Sequence, residues 1–292
     1  MNDYNFPFLN KKQHFASGLY LVATPIGNLQ DLTFRAVNVL READIVVCED
    51  TRVTGKLLSA CDIDAKLFFY NDHSDEAKRR TIIDMLKDGK TVALVSDAGA
   101  PLISDPGYKL VRDCVAEDIH VTTIPGASAP LAALQLSALP SDRFVFLGFV
   151  PSKQQARTHF FEPWNGQAMT LICFETGPRL GASLQAIEDT LGARDVAVVR
   201  EITKLYEDVQ RGTAADLMAY YAEHGVPKGE IVLVIGPATE SAPDAQDVDA
   251  LIAQALEAHR VKDAATLVAG QTGLSKKEIY ARALALSKAG KT

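Results

Sequence analysis

Short apolar runs alternate with amphipathic stretches through the first half of this chain, and the changeovers fall on Gly, Pro, Asn or Asp. The run over 18–24 predicts a strand, with a turn from Pro25 behind it. Ala36, Val39, Leu40 and Ala43 recur at helical spacing, so 32–43 predicts a helix. Further strands are expected over 44–48, 66–70, from Thr91 to a carboxylate at Asp97, and over 120–124, with helices over 54–60, 75–87, 108–116 and 131–139. Strand and helix alternating at this spacing imply a largely parallel sheet covered by helices.

A turn-rich break at Pro140-Ser-Asp-Arg separates this unit from a second one. There, strands are expected over 144–150, 169–174, 196–201, 205–209 and 231–235, with helices over 179–191 and 213–223. A hairpin among them makes that sheet mixed. Glu240-Ser-Ala-Pro-Asp-Ala-Gln246 reads as a linker. Beyond it, Val248, Leu251, Ile252, Ala255 and Leu256 mark one face of a helix. Asp263 is expected to cap a helix ending at Ala269, Gly270-Gln-Thr-Gly273 to break the chain, and Ser275 with Glu278 to form a capping box for a last helix. The fold class is therefore α/β, divided into a loose tail over 1–17, an α/β domain over 18–141, a second α/β domain over 142–239, and a linker with a helical module over 240–292.

Composition sharpens this picture in two places. The net charge is −7, but from Ala258 to Thr292 seven Lys or Arg face two Asp or Glu, so that segment carries +5 and the rest of the chain −12. An acidic body does not coat nucleic acid, whereas a basic helical appendage suits docking on RNA or DNA, or serves as a solvated dimerisation arm. No apolar run reaches the roughly 18 residues of a membrane span. The four cysteines form no C-x-x-C pair, which argues against zinc and against a disulfide framework, and no other metal pattern is present. A reducing cytoplasm is the expected compartment.

The candidate chemistry sits at strand ends. In Asp97-Ala-Gly-Ala-Pro101-Leu-Ile-Ser-Asp105-Pro-Gly107, small residues let a ligand approach the backbone and prolines fix the loop path. Pro125-Gly-Ala-Ser128 is a second loop of this kind, and the turn at Thr24-Pro25-Ile-Gly-Asn-Leu29 a third. Together they predict a crevice over the carboxyl ends of the sheet. The phosphate signature G-x-x-x-x-G-K-[ST], the dinucleotide signature G-x-G-x-x-G and the nucleophile elbow G-x-S-x-G are all absent. Glu49, Asp50, His73, Glu175 and Lys204 are candidate acid–base or orienting residues; structural ion pairs and helix caps account for the same residue types.

Thr24-Pro-Ile-Gly-Asn-Leu, Cys48-Glu-Asp-Thr-Arg52, Asp72-His73, Ser96-Asp-Ala-Gly-Ala-Pro-Leu-Ile-Ser-Asp-Pro-Gly107, Pro125-Gly126, Leu139-Pro-Ser-Asp-Arg-Phe144, Arg200-Glu-Ile-Thr-Lys204 and Lys228-Gly-Glu230 occur in that order. In this the chain resembles the small-subunit ribosomal RNA cytidine 2′-O-methyltransferases of the tetrapyrrole-methylase-like superfamily. The resemblance implies a class III methyltransferase of two α/β domains, usually a homodimer, with S-adenosyl-L-methionine in the cleft between the domains. It implies a cofactor site at Pro25, Asp97, Ala98, Gly99, Ala100, Pro101, Pro125, Gly126, Ala127 and Ser128, closed by Phe174, Glu175, Glu230 and Ile231. It gives the basic module a role in docking on the rRNA of the small ribosomal subunit. The chain departs from the pattern at Ala100, where Thr is common, at Ala127, where Pro is usual, and at Pro178, where His often precedes Arg-Leu. Two rivals remain at this point: methylation of a tetrapyrrole or other small molecule, and a non-catalytic RNA-binding ribosome assembly factor.

Overall fold

The computed structural model describes residues 15–71, 76–238, 245–272 and 274–289. His73 lies outside the described residues, as do Gly273 and nearly all of the expected tail. The chain divides into two compact units. One comprises residues 1–163 and 169–236. The other comprises residues 164–168 and 237–292.

The larger unit contains two five-stranded sheets. In the first, β1 (Gly18–Val22), β2 (Ile45–Cys48), β3 (Leu67–Phe69), β4 (Thr91–Val95) and β5 (Val121–Ile124) lie in the order β3-β2-β4-β1-β5. All of its pairings are parallel. Parallel strands need crossovers, supplied here by α1 (Phe34–Glu42), α2 (Thr51–Ala60), α3 (Glu76–Lys87) and α4 (Tyr108–Ala116). One face buries Tyr20, Val22, Val46 and Ala93 against α1 and α2; the other buries Leu19, Val47, Val92 and Leu94 against α3 and α4. Burial on both faces makes these strands continuous apolar runs. The chain reverses its direction of winding between β3 and β4, which sets the carboxyl ends of β1 and β4 side by side.

The second sheet is mixed, as expected. β6 (Phe144–Phe149), β7 (Thr170–Thr176), β8 (Asp195–Arg200), β9 (Asp208–Thr213) and β10 (Glu230–Ile235) run in the order β6-β7-β10-β8-β9, with only β6 and β7 parallel. The hairpin strand lies at Asp208–Thr213 rather than 205–209. Its sequence, Asp-Val-Gln-Arg-Gly-Thr, carries little apolar signal; it is held by its ladder to β8 and by Arg211, whose guanidinium donates to the carbonyls of Ser137 and Leu136. Those carbonyls belong to the end of α5 (Ala129–Ser137), which packs Ala133 and Leu134 on Ile172, Ala197, Val199, Val232 and Val234 of the second sheet. The helix that closes the first sheet's sequence thus covers one face of the second. The other side carries α6 (Gln154–Phe161), which the sequence pattern did not reveal, with α7 (Gly177–Leu191) and α8 (Ala214–His224).

The smaller unit packs α9 (Ala245–Ala258), α10 (Val261–Thr272) and α11 (Lys276–Ala289) around Val248, Ile252, Ala264, Ala265, Val268, Ile279 and Ala283. Here α10 starts before Asp263, which lies in its first turn, and runs through Gly270 instead of ending at Ala269. A lone glycine costs an interior helical position only about 1 kcal/mol, and packing of Ala264, Ala265 and Val268 outweighs it. No helix among the described residues is long and apolar enough to cross a membrane.

At the start of α7 the backbone of Gly177 meets segment 227–229: a Cβ there would stand 1.8 Å from the Pro227 carbonyl oxygen. Both partners are backbone, so neither yields cheaply. Gly177→Ala should cost about 3 kcal/mol or more, read as a fall in urea midpoint; an unchanged midpoint would show that this segment can move aside.

Candidate functional site

Beyond the end of β1, Thr24 forms a two-way bridge with Gly99 in the loop after β4. Thr24 N donates to Gly99 O at 2.9 Å and Gly99 N to Thr24 O at 3.1 Å. Two hydroxyls brace it: Thr24 Oγ1 donates to Ser96 O at 3.1 Å, and Ser96 Oγ to Gly99 O at 2.9 Å. Gly99 takes φ +84°, and a Cβ there would lie 3.3 Å from Ile26. Leu102 and Ser104 also adopt positive φ, at 72° and 67°. The 97–107 loop therefore holds a backbone path that few residues favour.

That loop forms one wall of a cavity of about 400 Å³. Asp97, Ala98, Gly99 and Ala100 line it, with Ser128 at the start of α5 and Phe174, Glu175, Glu230 and Ile231 from the second sheet. All nine belong to the expected cofactor set. Pro25, Pro101, Pro125, Gly126 and Ala127 are not among the lining residues. Gly126 instead carries the loop close to β1, where a Cβ would meet Ala23 at 3.0 Å. Residues not singled out from the sequence complete the lining: Ile26, Ile103, Ser104, Asp105, Phe149 and Ile202 among them. Ile26, Ile103, Ser104, Asp105 and Ile202 stand within quoted motifs, so their neighbourhood was legible; Phe149 required the pairing of the second sheet.

The acidic candidates gather at the ends of β2 and β4. Asp50 caps α2, accepting from Arg52 N at 2.8 Å and from its guanidinium at 2.6 Å. These hydrogen bonds hold its carboxyl at about 2, making Asp50 a poor proton acceptor. Asp97 is raised by burial and by the Asp50 charge, against a backbone hydrogen bond from Asp50 and the charge of Arg52. Asp105 is pushed further, up to about 6, by burial and then by the charges of Glu49 and Asp97. Glu49 thus sits close enough to act on the cleft electrostatically without lining it.

Glu175 has a fully buried carboxylate bound to Arg179 at 2.7 Å, to Thr176 N at 2.8 Å and to the Ser183 hydroxyl. Those three donors commit it to joining β7 to α7. Lys204 lies over Gly27, whose Cβ would stand 2.5 Å from Lys204 Cγ. Its ammonium reaches Glu230 at 2.7 Å and Glu201 at 3.1 Å. Burial alone would lower its pKa, but the hydrogen bonds to Glu230 and Glu201 prevail and raise it. Lys204 is therefore a held cation and no base near neutrality; it ties the β1 turn to the second sheet.

The lining holds the carboxylates of Asp97, Asp105, Glu175 and Glu230, apolar Ile26, Ile103, Phe149, Phe174, Ile202, Ile231 and Val232, and no Lys, Arg or His. Such a pocket disfavours a polyphosphate and suits a cationic ligand with a flat apolar part. The described residues contain no cluster of three His, Cys, Asp or Glu able to hold a metal ion.

Residues 18–218 match the family described as Tetrapyrrole (Corrin/Porphyrin) Methylases, and residues 242–287 the RsmI C-terminal HTH domain. The chain is 53% identical over 269 residues to the Ribosomal RNA small subunit methyltransferase I of Erythrobacter litoralis, covering 92% of this chain and 95% of that one. The Escherichia coli O157:H7 protein of the same name is 42% identical over 270 residues, covering 91% and 94%. Among solved structures, uroporphyrin-III C-methyltransferase from Thermus thermophilus complexed with S-adenosyl homocysteine matches with TM-score 0.51 at 19% identity, over 75% of this chain and 97% of that one. At that identity the likeness establishes the fold.

Folding raises the Asp105 pKa, so its contribution to stability is full below the usual carboxylate value of 3.8 and is lost as pH rises through about 6. Asp105→Asn should therefore gain on the parent protein between about pH 4 and about pH 7, seen as a urea-midpoint difference that widens in the variant's favour. Asp97→Asn should move the Asp105 titration, followed by carbon-13 NMR, below that of the parent. A pH-independent difference and an unmoved titration would contradict this coupling.

Proposed function

We infer the activity from one premise: the chain belongs to the ribosomal RNA small subunit methyltransferase I family, built on the tetrapyrrole methylase fold. It is an S-adenosylmethionine-dependent methyltransferase that acts on small-subunit rRNA. The observation that carries the cofactor assignment to particular residues is the cavity lined by four carboxylates, seven large apolar side chains and no cation. S-adenosylmethionine fits it in kind, a sulfonium cation on a largely apolar adenosine frame. We assign the cofactor site to Asp97–Ala100 and Ser128 on the first sheet and to Phe174, Glu230 and Ile231 on the second, with Ile26, Ile103, Phe149 and Ile202 as apolar walls. Pro101, Pro125, Gly126 and Ala127 hold the loops that shape it.

When bound, the cofactor supplies an electrophilic methyl group. The protein's part is to align an acceptor hydroxyl with it, exclude water and take up a proton. The acceptor assigned here is the 2′-hydroxyl of a cytidine ribose. Asp105 is the proton acceptor best suited by position and by an ionisation near 6; Asp97, one loop turn away, organises the cofactor and keeps the Asp105 pKa high. Asp50 is fixed by Arg52 and Lys204 by Glu201 and Glu230, so both act as supports. Glu49 supports through its charge. His73 lies outside the described residues. The basic 258–292 segment, with Lys276 and Lys277 opening α11, is the rRNA dock. A homodimer in the cytoplasm completes the reading.

Incubation with radiolabelled S-adenosylmethionine and small subunits lacking the modification should place label in rRNA, in an alkali-resistant ribose linkage. Label in a tetrapyrrole instead, or no label with cofactor still bound, would reject the rRNA assignment. The transfer rate should rise with pH through about 6 as Asp105 ionises, and Asp105→Asn should lack that limb. Lys276→Ala with Lys277→Ala should flatten the salt dependence of rRNA binding by a log–log slope of about 1.5; an unchanged slope would take these lysines off the phosphate backbone.

A further inference from the structure

A second cavity, of about 640 Å³, opens on the second sheet beyond the strand ends that close the cofactor cleft. Arg200, Tyr206, Tyr220, Tyr221, His224 and Lys228 line it, and no part of the transfer chemistry uses them. Glu201 and Gly229 belong to its wall, while Glu230, the next residue, lines the cofactor cleft. Glu230 N donates to Glu201 Oε1 at 2.9 Å. The two cavities are thus separated by little more than one peptide unit, and one extended chain of nucleotides can reach both.

One acid of this cavity, Glu201, is paired with a cation; Asp208 is hydrogen-bonded but keeps its charge. Glu201 is bound by Lys204, and Asp208 accepts both hydrogen bonds of the Gln210 amide. Arg200 spends one N–H on the Lys228 carbonyl, at 3.2 Å. The Lys228 ammonium forms no ion pair among the described residues. The aromatic component is large. Tyr206 is 67% exposed. Tyr220 and His224 stack at 4.1 Å between centroids, with His224 Nδ1 donating to the Tyr220 carbonyl at 2.9 Å. Tyr221 adds the most specific signal: its hydroxyl is buried with no hydrogen-bond partner. A buried hydroxyl left unmatched is costly, and burial, with Asp208 and Tyr220 nearby, keeps it a protonated donor, its pKa pushed up to about 12.

We propose that this cavity is a second nucleotide site, which holds an RNA residue flanking the one that enters the cofactor cleft, with its base stacked on Tyr206, an oxygen accepting from Tyr221 Oη and its phosphate paired with Lys228 and Arg200. Exposed aromatic faces interleaved with cations are how proteins hold splayed, unstacked RNA bases. A target nucleotide drawn into a cleft must leave its stack, and a neighbour pinned on tyrosine offsets part of that cost. This proposal rests on rRNA being the substrate.

The experiment uses the full chain and three variants: Tyr206→Ala, Tyr206→Trp and Tyr221→Phe. Tyr206→Ala and Tyr221→Phe should each raise KM for the small subunit about tenfold, leave kcat and S-adenosylhomocysteine affinity within about twofold, and Tyr206→Trp should restore KM. Tyr221→Phe removes an unmatched hydroxyl, so its thermal stability should hold or rise while KM worsens, a combination that a structural role would not give. KM values unchanged in both Ala and Phe variants overturn the proposal. So does a change in sedimentation state with KM intact, which would make the face a contact between copies. If the parent protein transfers no methyl to RNA, the substrate reading itself has failed. The site is then read by photo-cross-linking a 4-thiouridine RNA oligonucleotide: a cross-link within 200–229 supports it, and its absence overturns it.

Discussion

The site depends on one pair of backbone hydrogen bonds, those between Thr24 and Gly99. β1 and β4 are parallel neighbours, and parallel strands ordinarily part company beyond their carboxyl ends, each turning into its own helix. Here the chains beyond those ends meet again, antiparallel, through N–H···O bonds of 2.9 and 3.1 Å. The bridge closes only because Gly99 takes φ +84° beside Ile26 and because two buried hydroxyls, Thr24 and Ser96, saturate the carbonyls around it. With Gly99 fixed, Asp97 and Ala98 are held against the end of β2 and the 100–107 segment is carried outward as the wall of the cleft. Loops usually trade order for accessibility; this one is accessible and still fully hydrogen-bonded at its root.

From that geometry the electrostatics follow. Carboxylates brought to adjacent strand ends repel, and the fold resolves the repulsion unequally. Asp50 receives Arg52 and a helix N-terminus and settles at about 2, while Asp105, half-buried and facing Glu49 and Asp97, rises to about 6. Unequal resolution is useful, since one group stays ionised and structural while another exchanges protons near neutrality. Across the cleft the same logic places Lys204 between Glu201 and Glu230, where its charge is used up before it can reach a ligand. The pocket that remains is net anionic and apolar.

Much of this was legible in the residue pattern. Strands buried on both faces, such as Val46-Val47-Cys48 and Val92-Ala93-Leu94, announce a parallel sheet, and the small-residue loop after Asp97 announces a ligand beside it. Three things were not legible. β9 is polar and exists through its ladder to β8 and the reach of Arg211 to α5, neither of which leaves an apolar signature. Gly270 looks like a helix stop but sits mid-helix, because the packing of α10 outweighs a glycine's entropy. The special character of Asp105 depends on its burial and then on Glu49, 56 positions earlier in the chain. Local pattern identifies residue types and turns; a pKa is set by neighbours that only the fold supplies. The same limit explains why Pro125–Ala127, rich in site-like residues, shapes the cleft without lining it.

The wall between the two cavities shows why the Lys228-Gly229-Glu230 turn has its composition. Gly229 adopts φ +102°, and a Cβ there would fall 2.4 Å from Glu201 Oε1. Any side chain would displace Glu201, and with it the partner of Lys204 and of the Glu230 backbone N–H. Glu201 itself sits at φ 49°, a conformation uncommon for glutamate, and Thr203 at 66°. Two of these constraints, at Gly229 and at Glu201 itself, thus converge on one carboxylate. Their combined effect is to keep the cleft-facing Glu230 and the cavity-facing Lys228 in fixed register, two positions apart and on opposite sides of a single rigid partition. A ligand that spans both sides then meets a preorganised surface, and the ordering cost of binding falls on the ligand alone. Rigid partition and mobile ligand is the arrangement expected where the substrate is a flexible polymer and one atom of it must be placed to within an ångström.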